Sequence, residues 1–410
     1  MSVSAALSEP FCCNGEAGSG PDTLLSVDEA LRRALALVEP VTQEERLPLE
    51  NAHGRVLAQS VRANASLPLF DNSAMDGYAI RLADLAGEGP WRLPLAGRLA
   101  AGDAGNTQVP PGAVLRIFTG AAIPSGCDAV VIQELTQIDS DIVEIRQRPK
   151  PGENIRRVGE DLAFGAELLP AGRRIGPRAA ALLASAGCGA VTVTRRVRIA
   201  YFSTGSELRP PGAVLAPGQI WNANRHQLAN VLDLPWIEAI DMGSVPDQPD
   251  LLQQVLELAS RQADLVVSTG GVSVGGKDHM PAVLGAAGGE IHVAKVAMKP
   301  GKPLIVGRIG TALYFGLPGN PVAAFVAWHV IGAHVAQALA GIAAAGPHRI
   351  PVFADFKRSR QPGRCEYLPV QLGSYDSRGT RSAKNSNDAG FAPRSAAGAS
   401  RWSAHHSGRI

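Results

Sequence analysis

The chain has 410 residues, 45% hydrophobic and 19% charged, with a formal net charge of +2 at pH 7. That balance can bury several cores, and it excludes disorder over most of the length. Near-neutral charge and 5% aromatic content exclude a dedicated nucleic-acid binder, which needs a basic excess and stacking rings. Five cysteines (Cys12, Cys13, Cys127, Cys188, Cys365) form no CxxC pair, so they read as thiols in a reducing, cytoplasmic compartment. The N-terminus has neither a basic start nor a long apolar run, so no signal peptide is expected.

Residues 1–21 are small, polar and rich in Gly and Ser, and read as a disordered leader. Ser26 then caps a helix, VDEALRRALALVEP, whose apolar positions Val27, Leu31, Ala34, Leu35 and Val38 recur at helical spacing. Residues 22–60 with 155–196 form a helical/β linker domain, the second part expected to return beside this first helix. Residues 61–154 alternate short Val/Ile/Leu runs with Gly/Pro turns and read as a β-rich insert.

Residues 197–346 change texture. VRIAYFS, ADLVVST and TALYFGL are buried strands. HQLANVLDL, PDLLQQVLELASRQ and MPAVLGAAG are helices. The alternation predicts a parallel sheet with helices on both faces, a three-layer α/β/α ligand domain. Ala323–Gly346 carries no formal charge over 24 residues, long enough for a bilayer, but its Ala/Gly richness and internal histidines predict a buried helix and no membrane. Residues 347–372 resume strand texture and open a C-terminal β domain. Residues 373–410, with six basic and two acidic residues and no period, form an unpatterned tail.

Ligands of an open parallel sheet bind beyond its carboxyl strand ends. Three strands here run into unusual loops, which the fold places on one rim. The first is Ser203-Thr204-Gly205-Ser206-Glu207. The second is Thr269-Gly270-Gly271-Val272-Ser273-Val274-Gly275-Gly276-Lys277-Asp278. The third is Leu317-Pro318-Gly319-Asn320-Pro321. Glycines without Cβ let backbone N–H groups approach an anion closely, so the second loop points to phosphate. Of 39 basic residues only 7 are lysine, yet Lys277, Lys295, Lys299 and Lys302 fall within 26 residues. Compact ammonium groups beside stiffening prolines suit phosphate or an oxyanion. Asn320 and Pro321 can simply cap and start a helix, or line the ligand. Glu207, Asp247 and Asp278 beside an anion site suggest a Mg²⁺-like ion or oxyanion handling, though each alone can be a helix cap. In the insert, FDNSAMDGYAI and FTGAAIPSGCDAVV place Asp76 and Thr119 at turns. Either they are polar turns or they complete a site on a partner subunit.

The ordered motifs NSAMDGYA, RIFTGAAIP, GCDAVV, GENIRRVGEDL, STGSEL, STGGVSVGGKD, KPGKP and LPGNPV resemble the molybdopterin molybdenumtransferase family, which includes bacterial MoeA proteins and the E domain of gephyrin. The resemblance spans roughly residues 23–372. It implies insertion of molybdenum from molybdate into adenylylated molybdopterin, with release of AMP and support from Mg²⁺. It also implies an elongated homodimer with a small C-terminal β-barrel. The active sites would be shared between the α/β domain of one subunit and the β-insert of the other.

Carried over residue by residue, the resemblance assigns catalytic roles to Asp76, Thr119, Glu207, Asp247, Asp278, Lys295 and Lys299. Substrate binding falls to Ser203, Thr204, Gly205, Ser206, Thr269, Gly270, Gly271, Ser273, Gly275, Lys302, Pro318, Gly319, Asn320 and Pro321. A metal would sit among Glu207, Asp247 and Asp278. Partners implied are a molybdopterin adenylyltransferase and molybdoenzyme maturation proteins. Departures from the family spelling at Pro369 and beyond Leu372 put the barrel in question. Two other readings stand beside this one: a molybdopterin adenylyltransferase, and a non-catalytic molybdopterin-binding scaffold.

Overall fold

The structure, a computed structural model, describes residues 24–103, 107–272, 279–343, 352–356, 363–375 and 381–385. Its largest core surrounds a six-stranded sheet. In spatial order the strands are Ile237–Val245, Val197–Thr204, Leu265–Thr269, Ala312–Leu317, Pro303–Ile309 and Glu290–Lys295. The first four are parallel. The fifth is antiparallel to both its neighbours, so the sheet is mixed rather than wholly parallel. Chain length dictates this: only Gly310 and Thr311 join Pro303–Ile309 to Ala312–Leu317. Two residues can close a hairpin, whereas a parallel crossover needs about a dozen.

Helices cover both faces. Leu228 and Leu232 share one buried cluster with the Pro321–Leu339 helix. Leu252, Leu256 and Ala259 share the other with Met280, Val283 and Leu284. The first helix, Val27–Ala36, also belongs to this domain. Its small buried stripe, Val27, Ala30 and Ala34, lets it sit close against the sheet's first face. Leu25 secures it, accepting from Ala297 N at 2.7 Å and donating to Lys295 O at 3.1 Å. The expectation that residues 156–196 return beside this helix is therefore corrected. Their helix, Pro177–Ser185, packs in a separate cluster with Leu57, Ile175 and Val193. There Glu44–Pro48 pairs with Ala190–Thr194, and buried Arg55 donates to Glu45 and the Thr194 carbonyl.

The long apolar helix runs over Pro321–Leu339, with one wider turn at Trp328–Gly332. It has the length and hydropathy to cross a membrane. Its buried residues instead line the sheet, and Trp328 meets Phe315 edge to face at 6.2 Å.

The insert is a second six-stranded sheet with its own two clusters. Gly77 is obligatory there: a Cβ would lie 2.1 Å from the Val131 carbonyl oxygen of the neighbouring strand. At the C-terminal end, Val352–Ala354, Arg381–Asn385 and Val370–Tyr375 form a three-stranded sheet. Strands at 370–375 and 381–385 correct the reading of an unpatterned tail from residue 373. Among the described residues this end is a small sheet, not a closed barrel. The expected leader lies outside the described residues.

Candidate active site

The sheet register builds the site's floor. Thr204 pairs with Val245, Ser203 with Thr269, and Thr269 with Leu317, so four carboxyl strand ends lie side by side. From Val197–Thr204 the chain goes to a neighbour on one side, then crosses to Leu265–Thr269 on the other. That reversal is a topological switch point beyond Thr204 and Thr269, the place where ligands of open α/β sheets bind. Buried hydroxyls pair beneath these strand ends. Thr269 Oγ1 donates to Ser203 Oγ at 3.1 Å, and the Ser268 and Tyr314 hydroxyls lie 2.5 Å apart. Burial pushes the Tyr314 phenol far above its usual range, so it keeps its proton.

The first loop folds on Asp247. Thr204 Oγ1 donates to Asp247 Oδ1, Ser206 N lies 3.4 Å from Oδ2, and Asp247 N donates to Ser206 Oγ at 3.2 Å. Both Asp247 oxygens are thereby engaged within the rim. Glu207 folds over Gly205, where a Cβ would meet both its carboxylate oxygens at 2.9 Å.

The second loop starts at Gly270, whose φ is +95°. A Cβ there would lie 2.5 Å from the Thr204 carbonyl oxygen, so only glycine lets the two loops touch. Gly270 N also donates to Leu317 O at 3.0 Å, tying the second loop to the third. In the third loop, Gly319 stacks over Gly270. Asn320 Oδ1 accepts from Val322 N and Ala323 N, with Pro321 opening the helix. Helix capping therefore accounts for Asn320 and Pro321.

The structure thus brings together Ser203, Thr204, Gly205, Ser206, Glu207, Asp247, Thr269, Gly270, Gly271, Pro318, Gly319, Asn320 and Pro321. Ser273, Gly275 and Asp278 lie outside the described residues.

Lys295 ends the last strand, which runs with the first four, so it reaches the same rim. It stands three strands from Thr269, roughly 14 Å at about 4.8 Å per strand. Lys299 and exposed Lys302 follow in the adjoining loop. Lys299 Nζ is 3.2 Å from Glu366 Oε1, so the ligand-facing charge expected there is ion-paired with the C-terminal segment.

Asp76 and Thr119 are not on this rim but meet within the insert. Asp76 Oδ1 accepts from both Thr119 N and Thr119 Oγ1, each at 2.8 Å. These two bonds, helped by Arg116, hold the Asp76 carboxyl below the usual carboxylate range.

Among the described residues no group of three His, Cys, Asp or Glu could hold an ion; Asp278, the third member of the set expected from sequence, lies outside them. Asp247 braces the rim, its oxygens accepting from Thr204 and Ser206.

Sequence reasoning missed Asn222 and Asn224. Asn222 caps its helix and donates to Ser244 Oγ at 2.8 Å, bracing the neighbouring strand. Asn224 Nδ2 donates to the Gly319 carbonyl at 2.8 Å, bracing the third loop. The Asn-Ala-Asn spelling before HQLANVLDL was the available signal.

A doubly wound domain with a glycine-lined switch point, flanked by carboxylates and lysines, defines an α/β protein built for an anionic ligand. Comparison with known proteins narrows that class. Residues 25–187 match the family model "MoeA N-terminal region (domain I and II)", and residues 200–338 match "Probable molybdopterin binding domain". The molybdopterin molybdenumtransferase of Haemophilus influenzae is 40% identical over 307 residues, covering 75% of each chain. That of Nostoc is 41% identical over 305 residues, covering 73% of this chain and 70% of the relative. A crystal structure of the molybdopterin biosynthesis MoeA protein from Pyrococcus horikoshii superposes with a TM-score of 0.74 at 26% identity, covering 88% and 90%. The chain belongs to the molybdopterin molybdenumtransferase family of molybdenum-cofactor biosynthesis.

Proposed function

We propose that this chain inserts molybdenum from molybdate into adenylylated molybdopterin and releases AMP. The switch point between Thr204 and Thr269 carries the reading. The glycines of the loop that begins at Gly270 suit a close approach of backbone N–H groups to a phosphate, and Lys295 and Lys299 supply cationic charge on the same edge. Asp247 fixes the shape of the first loop, and Glu207 closes its mouth. Two molybdenum–sulfur bonds form as the dithiolene thiols give their two protons to one molybdate oxygen, which leaves as water; a second water adds across the phosphoanhydride, giving AMP and the molybdopterin phosphate.

Asp76 and Thr119 complete the site from the insert of a second copy, in a homodimer with shared sites. The insert packs on itself, in clusters that include no residue of the α/β domain. Mg²⁺ would be held among Glu207, Asp247 and Asp278 together with the ligand's own phosphates. A molybdopterin adenylyltransferase supplies the substrate, and molybdoenzyme maturation proteins receive the product, all in the cytoplasm.

The test is AMP release from adenylylated molybdopterin by purified protein. AMP appearing only with molybdate supports the reading. Tight binding without AMP release would favour a scaffold. Adenylylation of molybdopterin from ATP would make the chain an adenylyltransferase.

A further inference from the structure

We infer that Glu366, in the C-terminal segment, is a positioning residue that holds the Lys299 ammonium at the rim of the α/β site. This rests on the functional reading above for Lys299. The geometry is specific. Met298–Lys299 pairs in parallel with Cys365–Glu366. Cys365 N donates to the Ala297 carbonyl, and Tyr367 N to the Lys299 carbonyl, both at 2.8 Å. The two backbones are therefore fixed on either side of the pair.

The two side chains differ in exposure. That of Glu366 is 12% exposed and that of Lys299 61%. The carboxylate is the anchored member, while the ammonium projects into solvent. An ammonium carries three donors, so one hydrogen bond to Glu366 leaves others for a ligand phosphate. An exposed lysine must otherwise give up much rotamer freedom to meet its ligand. A largely buried carboxylate on a strand 67 residues away removes part of that loss beforehand. The C-terminal segment then serves the site as well as the fold.

The prediction is non-additivity. Steady-state AMP release is measured for wild type, Glu366→Ala, Lys299→Ala and the double variant. Glu366→Ala should raise KM about tenfold with kcat within about twofold, a loss of pre-paid ordering. Glu366→Gln, which keeps the acceptor oxygen, should lose about threefold. The double variant should match Lys299→Ala within about twofold, because the effect of Glu366 on KM passes through the Lys299 ammonium.

A double variant that falls by the product of the two single losses would overturn the inference. So would an unchanged KM in Glu366→Ala. Collapse of the folded state in both Glu366 variants would make Glu366 a structural anchor and also overturn it. Absence of AMP release by wild type would sink the functional reading alone. The same four-variant cycle would then be read on AMP binding by calorimetry.

Discussion

The α/β rim and the β-insert, the two regions proposed to share the site, are built on opposite principles. The α/β rim is made by backbone register: paired strand ends set Thr204, Thr269 and Leu317 side by side, and glycine contacts press their loops together. The insert's proposed contribution is held by one carboxylate: Asp76 accepts twice from Thr119 across an exposed turn. A site held by register fails structurally when altered. A site held by a surface clamp can lose its chemistry and keep its fold.

The contrast orders the expected effects of substitution. Gly270→Ala should be the most severe. The new Cβ would stand 2.5 Å from the Thr204 carbonyl, and a positive φ costs alanine a further ~1–3 kcal/mol. AMP release should fall by more than about 100-fold with a lower melting temperature, as this clash both strains the rim and splits two loops. An active, stable Gly270→Ala protein would break the register account.

Asp247→Asn comes next. It weakens acceptance from Thr204 Oγ1 and Ser206 N, hydrogen bonds worth about 1.5–3 kcal/mol when the acceptor is charged. Turnover should drop about 10–100-fold, with a modest loss of stability visible in thermal unfolding.

Asp76→Asn should separate the two regions most cleanly. Activity should fall while the melting temperature stays within about 1 °C, because the clamp is exposed and its bonds are largely replaced by water. The sign with pH follows from its lowered folded-state value. The stabilisation is present above the unfolded carboxylate range and is lost as pH falls through the folded value. Wild-type activity should therefore show no Asp76 titration between about pH 5 and 8. An acidic limb in that window that disappears in Asp76→Asn would contradict the clamp.

The smallest effect belongs to Asn320→Ala, where the residue is a cap. It should cost about 1 kcal/mol of stability, a melting shift of about 3 °C, with KM nearly unchanged.

The rim was largely legible in the sequence, because buried apolar runs ending in glycine loops announce themselves locally. Glu207, Gly270 and Gly319 came from that pattern alone. What stayed hidden depends on distant partners. Nothing near Lys299 points to Glu366, and nothing in VPDQPD says that Asp247 braces Thr204. Nor do the alanines of the first helix reveal that they dock on the α/β sheet rather than on the linker. The edge strand Ile237–Val245 escaped notice because solvent covers much of it, which blurs its alternation.

The central claim is that rim and insert make one site only across two copies. Mixing inactive Asp76→Ala protein with inactive Glu207→Ala protein tests it most directly. About half the dimers become heterodimers, each with one site free of both lesions, so AMP release should recover to about a quarter of wild type. Verified heterodimers with no activity would mean that each site is built within a single chain.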